Sequence, residues 1–277
     1  MITASAPSPA PRLRRRSSLQ RLGAITRAEV LLYLRKPLIL LPALLLGPVM
    51  VLLLGPQLGS RLEGTAFSAY LVQSLASWAL LLVVYYNTTM IAVTRRNEGV
   101  YQRMATGQAT PWEAFVAACA PSAVIVVVQV LLGTVASALV LFPFPWPNPL
   151  LALAGIVGGV VFMAAAAAWT SSWTSDVAAA QFTTIPLLIV LFLASGTVVP
   201  AGLLPHGVAV AFSMSPLHAV NDLIGIGLTG IGLTGGDAVP GFLGTCGAAV
   251  RPLVVLCAWT VLAILLARAT MRFGRRR

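Results

Sequence analysis

The chain has 277 residues, of which 58% are hydrophobic and only 9% charged. A soluble globule carries about 25% charged residues, so this chain cannot clothe a water-facing surface of its size. Disorder is excluded too, because disordered chains are poor in apolar residues. Basic residues number 18 against 7 acids, for a net charge of +11. In a polytopic membrane protein such a surplus sets orientation, so nucleic-acid binding is not its reading.

Residues 1–18 are rich in Pro, Ser, Ala and Arg without periodicity and predict a disordered, basic cytoplasmic tail. The run Arg14-Arg15-Arg16 lacks the uncharged core that an export signal needs next. Over 19–36, Leu19, Leu22, Gly23, Thr26, Val30, Tyr33 and Leu34 align as one uncharged helical stripe with Arg21, Arg27, Glu29 and Arg35 off it. That pattern predicts an amphipathic helix at the headgroup boundary, broken at Pro37.

Six membrane spans are expected, at about 38–55, 67–93, 113–141, 150–169, 177–199 and 251–268. Each holds at least ~18 mostly apolar residues, enough at 1.5 Å per residue to cross a ~30 Å hydrocarbon layer with modest tilt. With the amino terminus inside, only Arg61 and Arg251 of the 18 basic residues fall on the outer side. The positive-inside rule then puts both termini in the cytoplasm. Residues 19–270 form one transmembrane domain, and 271–277 a second basic tail.

The connections differ in character. The inner loop 94–111 is polar and long enough for a short helix, and in the inner turn 171–176 either Ser175 or Asp176 can cap the fifth span. The outer loop 143–149 is stiffened by prolines, with Trp146 at headgroup depth. Between spans five and six, residues 200–242 are apolar but broken by Gly and Pro every few residues. Two pieces there, about 203–213 and 217–228, predict short helices forming a re-entrant or interfacial hairpin on the outer side. The doubled IGLTG at 226–230 and 231–235 reads as a local duplication in a flexible turn. The fold class is therefore all-α and polytopic: an interfacial helix, six spans and an outer hairpin.

Little in the chain can catalyse. A Walker A loop needs GxxxxGK[ST], and the only lysine is Lys36, followed by Pro37. Cys119, Cys246 and Cys257 have no metal spacing, and no cofactor or metal site is expected. An intramembrane hydrolase built on Ser195 with His206 or His218 is weakened because both histidines fall in the broken segment. Ion coupling places an ionisable group at mid-membrane, whereas all seven acids lie at span ends, in loops or in the outer hairpin. Within spans the polar groups are neutral, and each serves either an interhelical hydrogen bond or the wall of a pathway. The pathway candidates are Asn87 and Thr88 in span two and Gln181 and Thr184 in span five. Gly155 and Gly159 form a small-xxx-small pair that predicts close helix packing.

Three segments then coincide in order. They are LLYLRKPLILLPALLLGPVM (31–50), TRRNEGVYQRMATGQATPWEAFVA (94–117) and PLLIVLFLASGTVVPAGLLPHGVAVAFSMSPLHAVNDL (186–223). Together they resemble the membrane subunits of ABC-2 type transporters, especially drug-export permeases like the daunorubicin-resistance membrane subunit. The tandem glycine stretches and the histidine in SPLHAVND depart from the family pattern. The resemblance implies a paired permease, as a homodimer or with a close paralogue, with one ATPase subunit docked under each protomer. It implies a coupling helix made of Arg95, Arg96, Glu98, Gly99, Tyr101, Arg103 and Met104, with Val100 and Met104 as an apolar foot. The expected cargo is a hydrophobic or amphiphilic compound exported across the cytoplasmic membrane, entering between paired protomers lined by spans two and five. A polysaccharide or lipid-linked glycan exporter of the same family, an ion-coupled transporter and an intramembrane hydrolase are the alternatives.

Overall fold

The structure, a computed structural model, describes residues 18–35, 64–105, 110–198, 205–233 and 238–271, with Leu41, Leu44, Leu45, Val49 and Leu53. Those five are helical, and the rest of the first expected span lies outside the described residues, as do the tails 1–17 and 272–277. The helices are α1 (Ser18–Leu34), α2 (Thr65–Asn97), α3 (Val100–Ala105), α4 (Pro111–Val140), α5 (Pro149–Trp173), α6 (Val177–Leu193), α7 (His206–Ser213), α8 (Pro216–Thr229) and α9 (Gly241–Thr270). No strand occurs among the described residues.

Four of these helices, α2, α4, α5 and α9, are long and apolar enough to cross a membrane. They match the expected second, third, fourth and sixth spans, with α9 starting ten residues earlier than the sequence suggests. The fifth expected span, 177–199, is shorter than the sequence suggests. α6 ends at Leu193, where Ser195 N–H turns back to Phe192 O and Gly196 takes a φ of 79° that side chains disfavour. Its 17 residues reach only about 26 Å at 1.5 Å per residue.

Local chemistry explains most helix ends. α4 opens on a capping box: Glu113 N–H donates to Thr110 Oγ1 (3.2 Å) while Thr110 N–H donates to Glu113 Oε2 (2.9 Å), with Pro111 at the first position. α6 opens on Asp176, whose carboxylate accepts from Ala179 N–H (2.8 Å). That bond, and a second from the Ser175 hydroxyl, hold the Asp176 carboxyl below the usual carboxylate range. Within α2, residues Leu80–Tyr86 form a π-helical stretch that no sequence feature announced.

The main core joins α2, α4, α5, α8 and α9, with Val72, Leu80, Val84, Met163, Leu217 and Leu223 among its fully buried side chains. The α5–α8 contact is set by small residues, as expected for Gly155 and Gly159. A Cβ on Gly155 would lie 2.9 Å from Leu223 Cβ, one on Gly159 3.1 Å from Val220 Cγ2, and one on Gly227 2.6 Å from the Ala152 backbone nitrogen. The two broken pieces do form α7 and α8. α8 is buried from Pro216 to Thr229 save for the half-buried Asp222, wedged among α2, α5 and α9. The first IGLTG copy, residues 226–230, therefore closes a buried helix and is not a flexible turn. Its glycines serve close packing, because backbone must approach backbone there.

Candidate functional site

The charged end of the bundle is built where α1, α3 and the α5–α6 turn meet the ends of α2 and α4. Arg21 reaches Glu113 Oε1 (3.2 Å) and Arg95 reaches Glu29 Oε2 (2.9 Å), so α1 is tied to both α4 and α2. Arg21 and Glu29, which lie off the uncharged stripe, turn toward the bundle beside the half-buried Leu22, Thr26 and Val30 of the stripe, while Leu19 is exposed. Pairing each charge where it meets protein avoids the cost of burying it alone.

The seven expected coupling residues do not share one exposed surface. Arg96 is 4% exposed and donates to the carbonyls of Ser171 (2.6 Å), Thr174 and Ser175 (3.3 Å). It thus neutralises the orphan carbonyls at the C-terminus of α5, where the helix dipole favours a cation. Glu98 caps α2 and is exposed. Gly99, at φ 70°, makes the tight reversal into α3, and its N–H bonds Arg96 O (3.1 Å). Tyr101 is fully buried, and Met104 packs beside it against Phe115 and Cys119 of α4, Ala168 of α5 and Ala267 of α9. Burial pushes the Tyr101 phenol well above its ordinary pKa. Arg103 points outward. α3 is therefore a short helix whose inner side packs on the ends of α2 and α4, in a cluster that continues to Ala168 of α5 and Ala267 of α9, and whose outer side carries Glu98 and Arg103.

The four expected pathway residues also separate. Asn87 donates to Ser122 Oγ (3.2 Å), Thr88 is buried, and Thr184 spends its hydroxyl on Ala180 O (2.8 Å) of its own helix. Only Gln181 faces outward. None of the four lines the half-open apolar cavity of about 330 Å³ bordered by α5, α6, α7, the start of α8, and α9. Its residues, among them Phe162, Leu191, Phe212, Ser215 and Trp259, were not marked as functional by sequence reasoning. Apolar side chains in apolar helices carry no signal of which face encloses a void.

A neutral polar network crosses the opposite end of the core. Gln73 Nε2 donates to Asn221 O (2.9 Å), Asn221 Nδ2 to Ser77 Oγ (2.7 Å) and Ser195 O (3.0 Å), and Tyr70 Oη to Thr197 O (2.7 Å). Beside it lies His218, 2% exposed, with Nε2 3.9 Å from Asp222 Oδ2, which places a titratable pair deeper than the outer hairpin position read from the sequence. The serine–histidine pairing a hydrolase would need is not formed among the described residues. Ser195 Oγ sits with Thr197 Oγ1 (2.8 Å) and no ring nitrogen of His218 has a hydrogen-bond partner there.

Apolar helices of bilayer-crossing length, a polar end held by ion pairs and a buried broken helix define a multi-pass helical membrane transport domain. The family model for the ABC-2 type transporter matches residues 20–227, three quarters of the chain, and the chain belongs to that family. It is accordingly a membrane permease component of an ABC transporter, a domain that works in the bilayer with an ATPase partner and is not itself the ATPase. No curated protein shows significant similarity to the chain.

Proposed function

We propose that the chain is the permease of an exporter that moves a hydrophobic or amphiphilic compound across the cytoplasmic membrane. Two copies, or one with a close paralogue, pair in the bilayer, and one ATPase subunit docks beneath each. Both termini are cytoplasmic, six spans cross the membrane, and α7–α8 form a re-entrant hairpin on the outer side. The observation that carries the reading is the keyed position of α3. A surface element with an exposed Glu98 and an outward Arg103 is anchored through Tyr101 and Met104 to the ends of α2 and α4. A push on it is delivered to α2 and α4 together, because packed side chains do not absorb displacement.

Arg95 and Arg96 support that element from behind. Arg95 links the end of α2, from which α3 turns back, to α1, and Arg96 locks it to the α5–α6 turn. Glu98, Gly99 and Arg103 face the ATPase. Closure of the ATPase pair on nucleotide shifts the population between inward- and outward-facing arrangements by differential affinity for the two states. The test is substrate-stimulated ATPase activity of the reconstituted complex. Glu98→Arg is expected to abolish stimulation while membrane insertion and thermal stability stay within about 0.5 kcal/mol of wild type, as for a surface change. Normal stimulation by Glu98→Arg overturns the coupling assignment.

A further inference from the structure

The cavity between α5, α6, α7 and α9 has a shape and polarity that specify a ligand. On α9 its wall runs from Trp259 to Leu266, and on α5 from Phe162 to Trp169. Seven residues of helix are about 10 Å, so the space is a slot parallel to the helices. Its walls are carbon but for one end, where Ser215 and Pro216 bring the N-terminus of α8 to the slot. A serine at that position ordinarily caps its helix. Here it makes no capping bond, the residue is 8% exposed, and its hydroxyl has no hydrogen-bond partner among the described residues. The 14-residue α8 thus presents an uncapped, positively polarised terminus and an unspent hydroxyl at one end of an apolar slot.

A cation stands beyond the same end. Arg251 lies eight residues before Trp259 on α9, and its Nη2 donates to Ser213 Oγ (2.6 Å), next to the lining residue Met214. Trp259 Nε1 donates to Met214 O (2.7 Å), so the indole spends its one donor in holding this corner closed. Arg251 itself is exposed. Among the described residues no acidic side chain lines the slot, and Asp222 of α8 is the carboxylate within electrostatic reach of Arg251.

We infer that this slot binds a single-chain anionic amphiphile, with the alkyl chain between α5, α6 and α9 and the headgroup oxygens at the α8 N-terminus beside Ser215 and Arg251. The inference deepens the transport reading and rests on it for the fate of the bound molecule, though not for binding itself. The same chemistry is offered by a cargo molecule and by a fatty acid or lysolipid of the bilayer.

The test uses the purified full chain in a neutral detergent and two brominated C18 probes, one with a carboxylate head and one with a trimethylammonium head. Bromine on the chain quenches tryptophan on contact, and Trp169 and Trp259 line the slot. The carboxylate probe is expected to quench saturably and to bind at least tenfold more tightly than the ammonium probe. Ala211→Phe, at an exposed lining position that leaves the core untouched, is expected to remove the saturable component. Ser215→Ala and Arg251→Gln are each expected to weaken carboxylate binding several-fold and to leave the ammonium probe unchanged.

Non-saturable quenching, equal binding of the two heads, or saturable quenching that persists in Ala211→Phe overturns the proposal. A chain that binds no probe but forms a dimer that Ala211→Phe splits overturns it in favour of a second copy as occupant. Because the readout uses neither ATP nor the ATPase, its failure leaves the transport reading standing. The sources are separated by native mass spectrometry of the complex: a bilayer lipid co-purifies with the slot, and a cargo molecule is found only when supplied. A complex whose slot retains neither a co-purified nor a supplied anionic amphiphile also overturns the proposal.

Discussion

The two ends of the bundle are held by different forces. At the charged end, Arg21–Glu113, Arg95–Glu29 and Arg96 on the carbonyls of the α5–α6 turn bind helix to helix through full charges. At the glycine-rich end, α8 is fixed by close backbone approach at Gly155 and Gly227 and by neutral hydrogen bonds from Gln73 and Asn221. Charges are tolerable where water reaches them, whereas buried helices in hydrocarbon associate through packing and neutral polar groups. The nature of the solvent, more than the fold, chose the glue. The charged end is consequently adjustable by salt and partner contact, and the glycine-rich end only by shape.

Arg96→Leu strikes the one charge that belongs to both descriptions, being ionic in kind and buried like the other end. It leaves three carbonyls without their donor, and hydrogen bonds to charged groups are worth about 1.5–3 kcal/mol each. A loss of roughly 3 kcal/mol or more is expected, read as a lowered midpoint of thermal aggregation in detergent. An unchanged midpoint would mean that the buried arginine contributes nothing to the charged end.

Gly227→Leu tests the packed end. The added side chain meets the Ala152 backbone, which cannot move aside as a flexible side chain can, and overpacking of this kind costs about 1–3 kcal/mol. The loss should be independent of salt. Glu29→Gln is expected to have the smallest effect, under about 1 kcal/mol, because both partners of the Arg95 pair are partly exposed. Its effect should vanish at high salt, where the screening length falls to ~3 Å. A salt-insensitive Glu29→Gln, or a salt-sensitive Gly227→Leu, would erase the distinction between the two ends.

Legibility tracked the kind of force. The long spans announced themselves through apolar length, and α7 and α8 through the stretches between Gly and Pro breaks. The cap at Asp176 and the glycine packing of α5 were also readable, since each depends on a residue and its near neighbours. Arg96 was misplaced on a docking surface because a basic residue beside a span reads as topology, and its acceptors lie 75 or more positions away. The partners of α1, Glu113 for Arg21 and Arg95 for Glu29, were hidden for the same reason. Ser215 and the slot left no trace, as a serine before a proline looks like any other helix start.

From its order of residues alone this protein was bound to be a multi-pass helical membrane protein, because hydrocarbon demands long apolar helices and those lengths are written locally. Its ABC-2 character showed only as a resemblance of three segments in order. Which charges are spent inward, which helix is swallowed by the bundle and where a slot remains open were decided only when distant helices met. Pairing and void are properties of two or more surfaces together, and no single stretch of chain carries them.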